Sequence, residues 1–146
     1  MTVVVRTLSA AADPRAAQDL WYDVSRWNRW VDGFAVLVSL EGDWPHAGGE
    51  LVWESRPHGR GRVSETVVEQ DAHGQIARVA DERLEAVQHV SFAAVPDGVE
   101  VTLELDYRLR SVLPVRIAVD WLFVRRALGD SLARTLDGFG HLLGAP

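Results

Sequence analysis

The sequence predicts an α+β domain, an antiparallel sheet with its helices gathered on one face, and three observations carry that expectation. Val99, Val101, Leu103, Leu105, Tyr107 and Leu109 alternate with Glu100, Thr102, Glu104, Asp106, Arg108 and Arg110, the period-two mark of a strand with one dry and one wet face. Earlier stretches share that period and are separated by short turn signals, so consecutive strands make a meander. The tail, Pro114 to Leu143, instead places Ile117, Trp121, Val124, Leu128, Leu132, Thr135, Phe139 and Leu142 at steps of three and four. That is one stripe of a helix roughly 45 Å long at ~1.5 Å per residue, and it needs a sheet to lie on.

In chain order, Thr2 to Leu8 is short and β-branched, a first strand. Asp13 then suits an N-cap and Pro14 the first helical position, and the helix runs through Ala17, Leu20, Trp21 and Val24. Ser25 to Trp30 continues as a second short helical turn, which Asp32-Gly33 breaks. From Phe34 the period is two: Val36, Val38 and Leu40 alternate with Leu37, Ser39 and Glu41, and Gly42-Asp43 turns the chain. Further strands are expected over 50–55, 62–69, 75–82 and 86–95, with Pro96-Asp97-Gly98 as the hairpin turn before the last. Pro114 suits the start of the closing helix, and Gly144 with Pro146 suits its end.

The length of 146 residues fits one domain, 1–146, with one core. A formal charge of −6, from 21 acidic against 15 basic residues, argues against a nucleic-acid partner, which calls for a basic face. All 15 basic residues are Arg and Asn28 is the only Asn, a usage that suggests GC-rich coding and a bacterial source. Zero Cys excludes a disulfide framework, a thiolate metal site and a cysteine nucleophile. Met1 to Arg6 lacks the order of a signal peptide, and no apolar run reaches the ~18 residues of a membrane span, so a cytoplasmic protein is expected.

Several local patterns together resemble one family. They are Ala17-x-x-Leu20-Trp21-x-x-Val24, Trp27-Asn28-Arg29-Trp30, Gly49-x-x-x-Trp53-Glu54-Ser55 with Gly59-x-Gly61, and Leu128-x-x-x-Leu132-x-x-x-Leu136-x-x-Phe139. With the element order, they resemble the START-like or polyketide cyclase/dehydrase (SRPBCC) superfamily over essentially the whole chain. The resemblance implies a helix-grip fold, in which a curved seven-stranded antiparallel sheet wraps the long C-terminal helix and two short helices lie between strands 1 and 2. It also implies an apolar cavity between sheet and helix that in many members holds a lipid, sterol, polyketide or hormone. No single catalytic motif carries over. An empty cavity of ~300 Å³ would cost roughly 7 kcal/mol at the slope of engineered core cavities, so ligand, water or the chain's own side chains should fill it.

The expected function is binding of a small, largely apolar molecule in a cavity lined by Trp30, Phe34, Trp53, Phe92, Tyr107 and Trp121. The alternative is an aromatic polyketide cyclase or dehydratase, with Tyr107 and Glu65 as proton donor and base. Tyr107 shares the inner phase of its strand with Leu103 and Leu105, Glu65 falls between Val63 and Val67, and Gln88 precedes Val90 and Phe92 by the same alternation. Gly129-Asp130-Ser131-Leu132 spells a hydrolase motif, but mid-helix Ser131 lacks the strained turn and oriented base that a nucleophile needs. His46, His58, His73, His89 and His141 are never paired at metal-ligand spacing, so no metal or other cofactor is expected. Arg56, Arg60 and Arg62 form one basic patch, read either as a solvated hairpin or as a steering site for an anionic head group. Val119, Leu122 and Phe123 lie off the main stripe of the last helix; burial within the chain is the preferred explanation and a homodimer the other.

Overall fold

The computed structural model describes residues 2–110 and 117–144, with the side chains of 117–121 excepted. Its elements are β1 (Thr2–Ala10), α1 (Pro14–Tyr22), a 3₁₀ helix (Val24–Arg29), β2 (Phe34–Glu41), β3 (Glu50–Ser55), β4 (Arg62–Asp71), β5 (Gly74–Ala80), β6 (Leu84–Val95), β7 (Gly98–Leu109) and α2 (Ile117–Leu143). Among the described residues seven strands form one sheet in the order β1-β7-β6-β5-β4-β3-β2, every neighbouring pair antiparallel. Six strands follow one another as a meander, and β1 joins β7 to become the far edge. This is the helix-grip arrangement expected from sequence.

Local chemistry explains the joints. Asp13 caps α1 by accepting from the Arg15 N–H at 2.7 Å, with Pro14 in the first turn. Asp23 accepts from the Ser25 N–H, so the helix expected to run to Val24 stops at Tyr22 and a separate 3₁₀ turn begins. The strand expected over 75–82 ends at Ala80, because Asp81 Oδ1 accepts from the N–H groups of Arg83 and Leu84 and wraps the chain into a turn. As a result β6 starts at Leu84, two residues earlier than the pattern indicated. In β2 two register shifts disturb the alternation, and Val36, Val38 and Leu40 are all exposed while Phe34 turns inward.

The core lies between the inner face of the sheet and the helices. Val99, Val101, Leu103, Leu105 and Tyr107 of β7 are buried along its length, as the alternation required. On α2 the stripe buries Leu128, Leu132, Thr135, Leu136 and Phe139. Two glycines allow this approach: a Cβ on Gly138 would stand 3.1 Å from the Trp30 carbonyl oxygen, and one on Gly140 would stand 2.9 Å from Leu8 Cδ2. Leu122 and Phe123 correct the expectation of burial within the chain, being 63% and 75% exposed. Pro114, Pro146 and the side chains of Ile117, Val119 and Trp121 lie outside the described residues.

Candidate binding cavity

A cavity of about 50 Å³, partly open to solvent, lies between the sheet and α2. Its apolar walls are Trp21 and Trp27 from the helical segment, Trp53 of β3, Leu103 of β7 and Leu132 of α2. One end is polar, where Arg60 stands near enough to Glu65 for its charge to act on the carboxyl, and Gln88 and Trp30 add further polar groups to the lining. On the remaining side the loop Val31-Asp32 meets Ser131 and Thr135 of α2. Period two accounts for the inward residues: Glu65 sits in the phase of Val63 and Val67, and Gln88 in that of Ala86 and Val90.

The polar end is incompletely paired. Glu65 is 6% exposed, and its Oε2 accepts from Trp53 Nε1 at 3.0 Å while its Oε1 has no partner. Burial pushes its carboxyl above the usual carboxylate range, opposed by the Trp53 N–H and the positive charge of Arg60. Arg60 reaches this end because the β3–β4 loop is drawn tight: Gly61 N–H donates to Ser55 Oγ at 2.8 Å and Gly59 N–H to the Arg56 carbonyl at 3.1 Å. Its Nε donates to the buried Asp81 Oδ2 at 2.8 Å, while its Nη2 is buried without a partner. Trp27 and Trp44 donate their indole N–H groups to the carbonyls of Trp21 and Tyr22. Trp30 Nε1 is buried and donates to nothing. Three residues of one small cavity therefore each hold an unpartnered buried polar atom, and such an atom costs about 1–3 kcal/mol unless something pairs it.

The solvent side is latched. Asp32 Oδ1 accepts from Arg134 Nε and Oδ2 from Arg134 Nη2, both at 3.1 Å; Oδ2 also accepts from Ser131 Oγ at 2.8 Å. The Asp32 N–H donates to Thr135 Oγ1 at 3.0 Å. Burial works against the charge on Asp32, but the hydrogen bonds from Arg134 and Ser131 outweigh it and hold the carboxyl below its usual range. Ser131 thus serves this contact, consistent with the reading of Gly129-Asp130-Ser131-Leu132 as plain helix.

Of the residues expected to line the cavity, Trp30 and Trp53 do so. Phe34 is buried but stacks on Trp53 at 5.3 Å between ring centres. Phe92 is consumed in packing against Trp21 and Tyr22 at 6.0 and 6.2 Å. Tyr107 is 1% exposed and lies in one cross-strand row with Glu65, through Val79 and Ala86. Three strand spacings of ~4.8 Å put the two about 14 Å apart along the sheet, too far to act on one atom. Burial raises the Tyr107 hydroxyl, with Arg125 and Thr2 opposing. Trp121 falls among the undescribed side chains. The sequence reading missed Arg60 and Asp81 as an inward pair; continuing the phase of Gln75, Ala77 and Val79 by one step would have turned Asp81 inward.

The five histidines are exposed, and among the described residues no three His, Asp or Glu are placed to share a metal ion. Glu100, Glu104 and Asp106 occupy the outer face of β7. A wider depression of about 480 Å³ opens on that outer face, but Glu85 and Arg108 pair across it at 2.6 Å. It shares no residue with the inner cavity.

Comparison with known proteins agrees with this architecture. A START superfamily protein from Mycobacterium smegmatis superposes with a TM-score of 0.75 at 14% identity, covering 97% of this chain and 96% of that one. Truncated norcoclaurine synthase from Thalictrum flavum gives 0.74 at 14% identity, covering 99% and 94%. The di-domain ARO/CYC BexL from the BE-7585A biosynthetic pathway gives 0.79 at 16%, covering 99% of this chain and 50% of that chain. Identities this low establish the fold alone. No curated protein matches the sequence. The family model described as polyketide cyclase / dehydrase and lipid transport matches residues 1–144, and the chain belongs to that family.

Proposed function

We propose that residues 1–146 act as one ligand-binding domain for a small, largely apolar molecule that carries a hydrogen-bond acceptor at one end. The observation that supports this reading is the group of three unpartnered buried atoms, Trp30 Nε1, Arg60 Nη2 and Glu65 Oε1, on residues of one cavity. Trp53 already donates to Glu65 Oε2, so a proton on the carboxyl belongs on Oε1. When the Glu65 carboxyl is protonated it donates, as Trp30 and Arg60 do, and donors of this kind select a carbonyl, carboxylate or phenolate oxygen. The apolar walls suit the rest of the molecule. A space of about 50 Å³ holds a head group or a few waters, whereas drug-sized ligands occupy pockets of ~300–1,000 Å³. A larger body therefore enters only when the Asp32–Arg134 latch opens.

The test is a thermal-shift and calorimetric panel of aromatic and alkyl ketones and carboxylates, each matched with its hydrocarbon. Acceptor-bearing compounds should bind at least about tenfold tighter than their hydrocarbons, one good hydrogen bond's worth, and Arg60→Leu should erase the difference. Equal binding of both series, or binding of neither, overturns the proposal. The second reading, a cyclase or dehydratase, is favoured by one observation, the burial-raised carboxyl of Glu65. It predicts turnover of bound ketones that Glu65→Gln abolishes while binding persists.

A further inference from the structure

The start of α2 carries two exposed apolar side chains that the cavity does not use. Phe123 is 75% exposed and Leu122 63%, the highest values among the large hydrophobic residues described. Beside them, a groove between α2 and the edge strand β1 is lined by Val3, Val5, Leu122, Arg6, Arg125 and Arg126, with Val3 and Val5 43% and 42% exposed. Among the described residues no carboxylate lines this groove, in a chain whose formal charge is −6. Glu104 and Asp106 stand on the neighbouring strand and Asp130 one turn along α2, so the basic strip is narrow. Protruding apolar side chains flanked by arginines form the pattern of a surface that meets an anionic partner.

We infer that this face docks onto an anionic lipid bilayer, with Leu122 and Phe123 entering the interface and Arg6, Arg125 and Arg126 against the headgroups. A second copy of the chain fits these features less well. A two-fold contact presents one patch to itself, so arginines would face arginines. Among the described residues, four partly exposed apolar side chains also offer well under the ~800 Å² per partner of a standard interface. A bilayer needs neither self-complementarity nor large area, since insertion of a few apolar groups and attraction of each basic residue add together.

Vesicle flotation with the whole chain tests this independently of the cavity ligand. Vesicles of phosphatidylcholine with one third phosphatidylglycerol should retain about tenfold more protein than pure phosphatidylcholine, and high salt should remove most of the difference. Phe123→Ser and the double variant Arg125→Gln/Arg126→Gln should each reduce retention to the neutral-vesicle level, while circular dichroism and Tm confirm an intact fold. Equal retention on both vesicle types, or Phe123→Ser retention like wild type, overturns the inference. So does a wild-type dimer in light scattering that Phe123→Ser dissolves, which assigns the face to self-association. Retention by an acidic protein with none on vesicles overturns it likewise.

Discussion

Two stretches of α2, 122–127 and 128–139, share one helix and differ in the fold, and the off-stripe positions of Leu122 and Phe123 already set the first apart in sequence. From Leu128 to Phe139 the stripe is buried, with Phe139 at 0% and Leu136 at 2% exposure. From Leu122 to Ala127 no residue is buried. Helical periodicity states which face is apolar; whether anything covers that face depends on what the topology brings opposite. In the second half the cover is specific: Phe139 meets Trp21 at 5.1 Å and Trp30 at 5.0 Å, and Asp32 grips Ser131, Arg134 and Thr135. Between Leu122 and Ala127 the neighbour is the rim of β1, where Val124 is half-buried against the core while Leu122 and Phe123 stay in solvent. One half is a structural element and the other a surface, so their variants should separate cleanly.

The largest effect expected is that of Phe139→Ala. It removes a fully buried ring from between two tryptophans, and a core aromatic truncated to alanine costs about 3–5 kcal/mol. Against a net stability of ~5–15 kcal/mol that is a large share. Urea unfolding should show it, and a loss under 1 kcal/mol would mean that α2 does not pack on the tryptophans as described.

How much of this was legible depends on the range of the interaction concerned. Strand and helix identity came from local periods, so the inner face of β7 and the Leu128, Leu132, Thr135 and Phe139 part of the α2 stripe were read correctly, while Val124 and Leu142 are only half-buried and the side chains of Ile117 and Trp121 lie outside the described residues. The inward turn of Gln88 was legible for the same reason, whereas the alternation around Glu65 left the facing of its strand open. The pairing of Arg60 with Asp81 was not, because the β4–β5 hairpin joins two turns 21 residues apart. The idle N–H of Trp30 was equally hidden, since six tryptophans look alike until the fold decides which of them reach a carbonyl. Phe34, Phe92 and Tyr107 show the converse error. Inward phase places a side chain in the core, and only packing decides between lining a cavity and filling one.

The polar end of the cavity supplies a second, intermediate effect. Burial raises the Glu65 carboxyl above its ordinary value of 4.5, so the folded state holds that proton to higher pH than the unfolded chain does. The resulting stability is fully present below about pH 4.5 and is lost as pH rises through the raised value. Glu65→Gln keeps an oxygen to accept from Trp53 and cannot ionise. The variant should match wild type in acid and then become progressively the more stable form as pH rises. Tm measured from pH 4 to 8 decides: a gap that does not change with pH would mean that burial of this charge is not what separates the two proteins.

The smallest effect is expected in the exposed half of α2. Phe123→Ser removes a ring that is 75% exposed, and substitutions at exposed positions outside caps, turns and networks stay within about 0.5 kcal/mol. Serine is a somewhat weaker helix former, which sets a small loss of a few tenths against the release of apolar surface from water. Paired with Phe139→Ala, the same helix and the same residue type then give effects that differ at least about fivefold. Urea midpoints at low protein concentration make the comparison without interference from self-association. A Phe123→Ser loss above 1.5 kcal/mol would show that this ring is covered in the monomer, and the docking face inferred for α2 would then be part of the core.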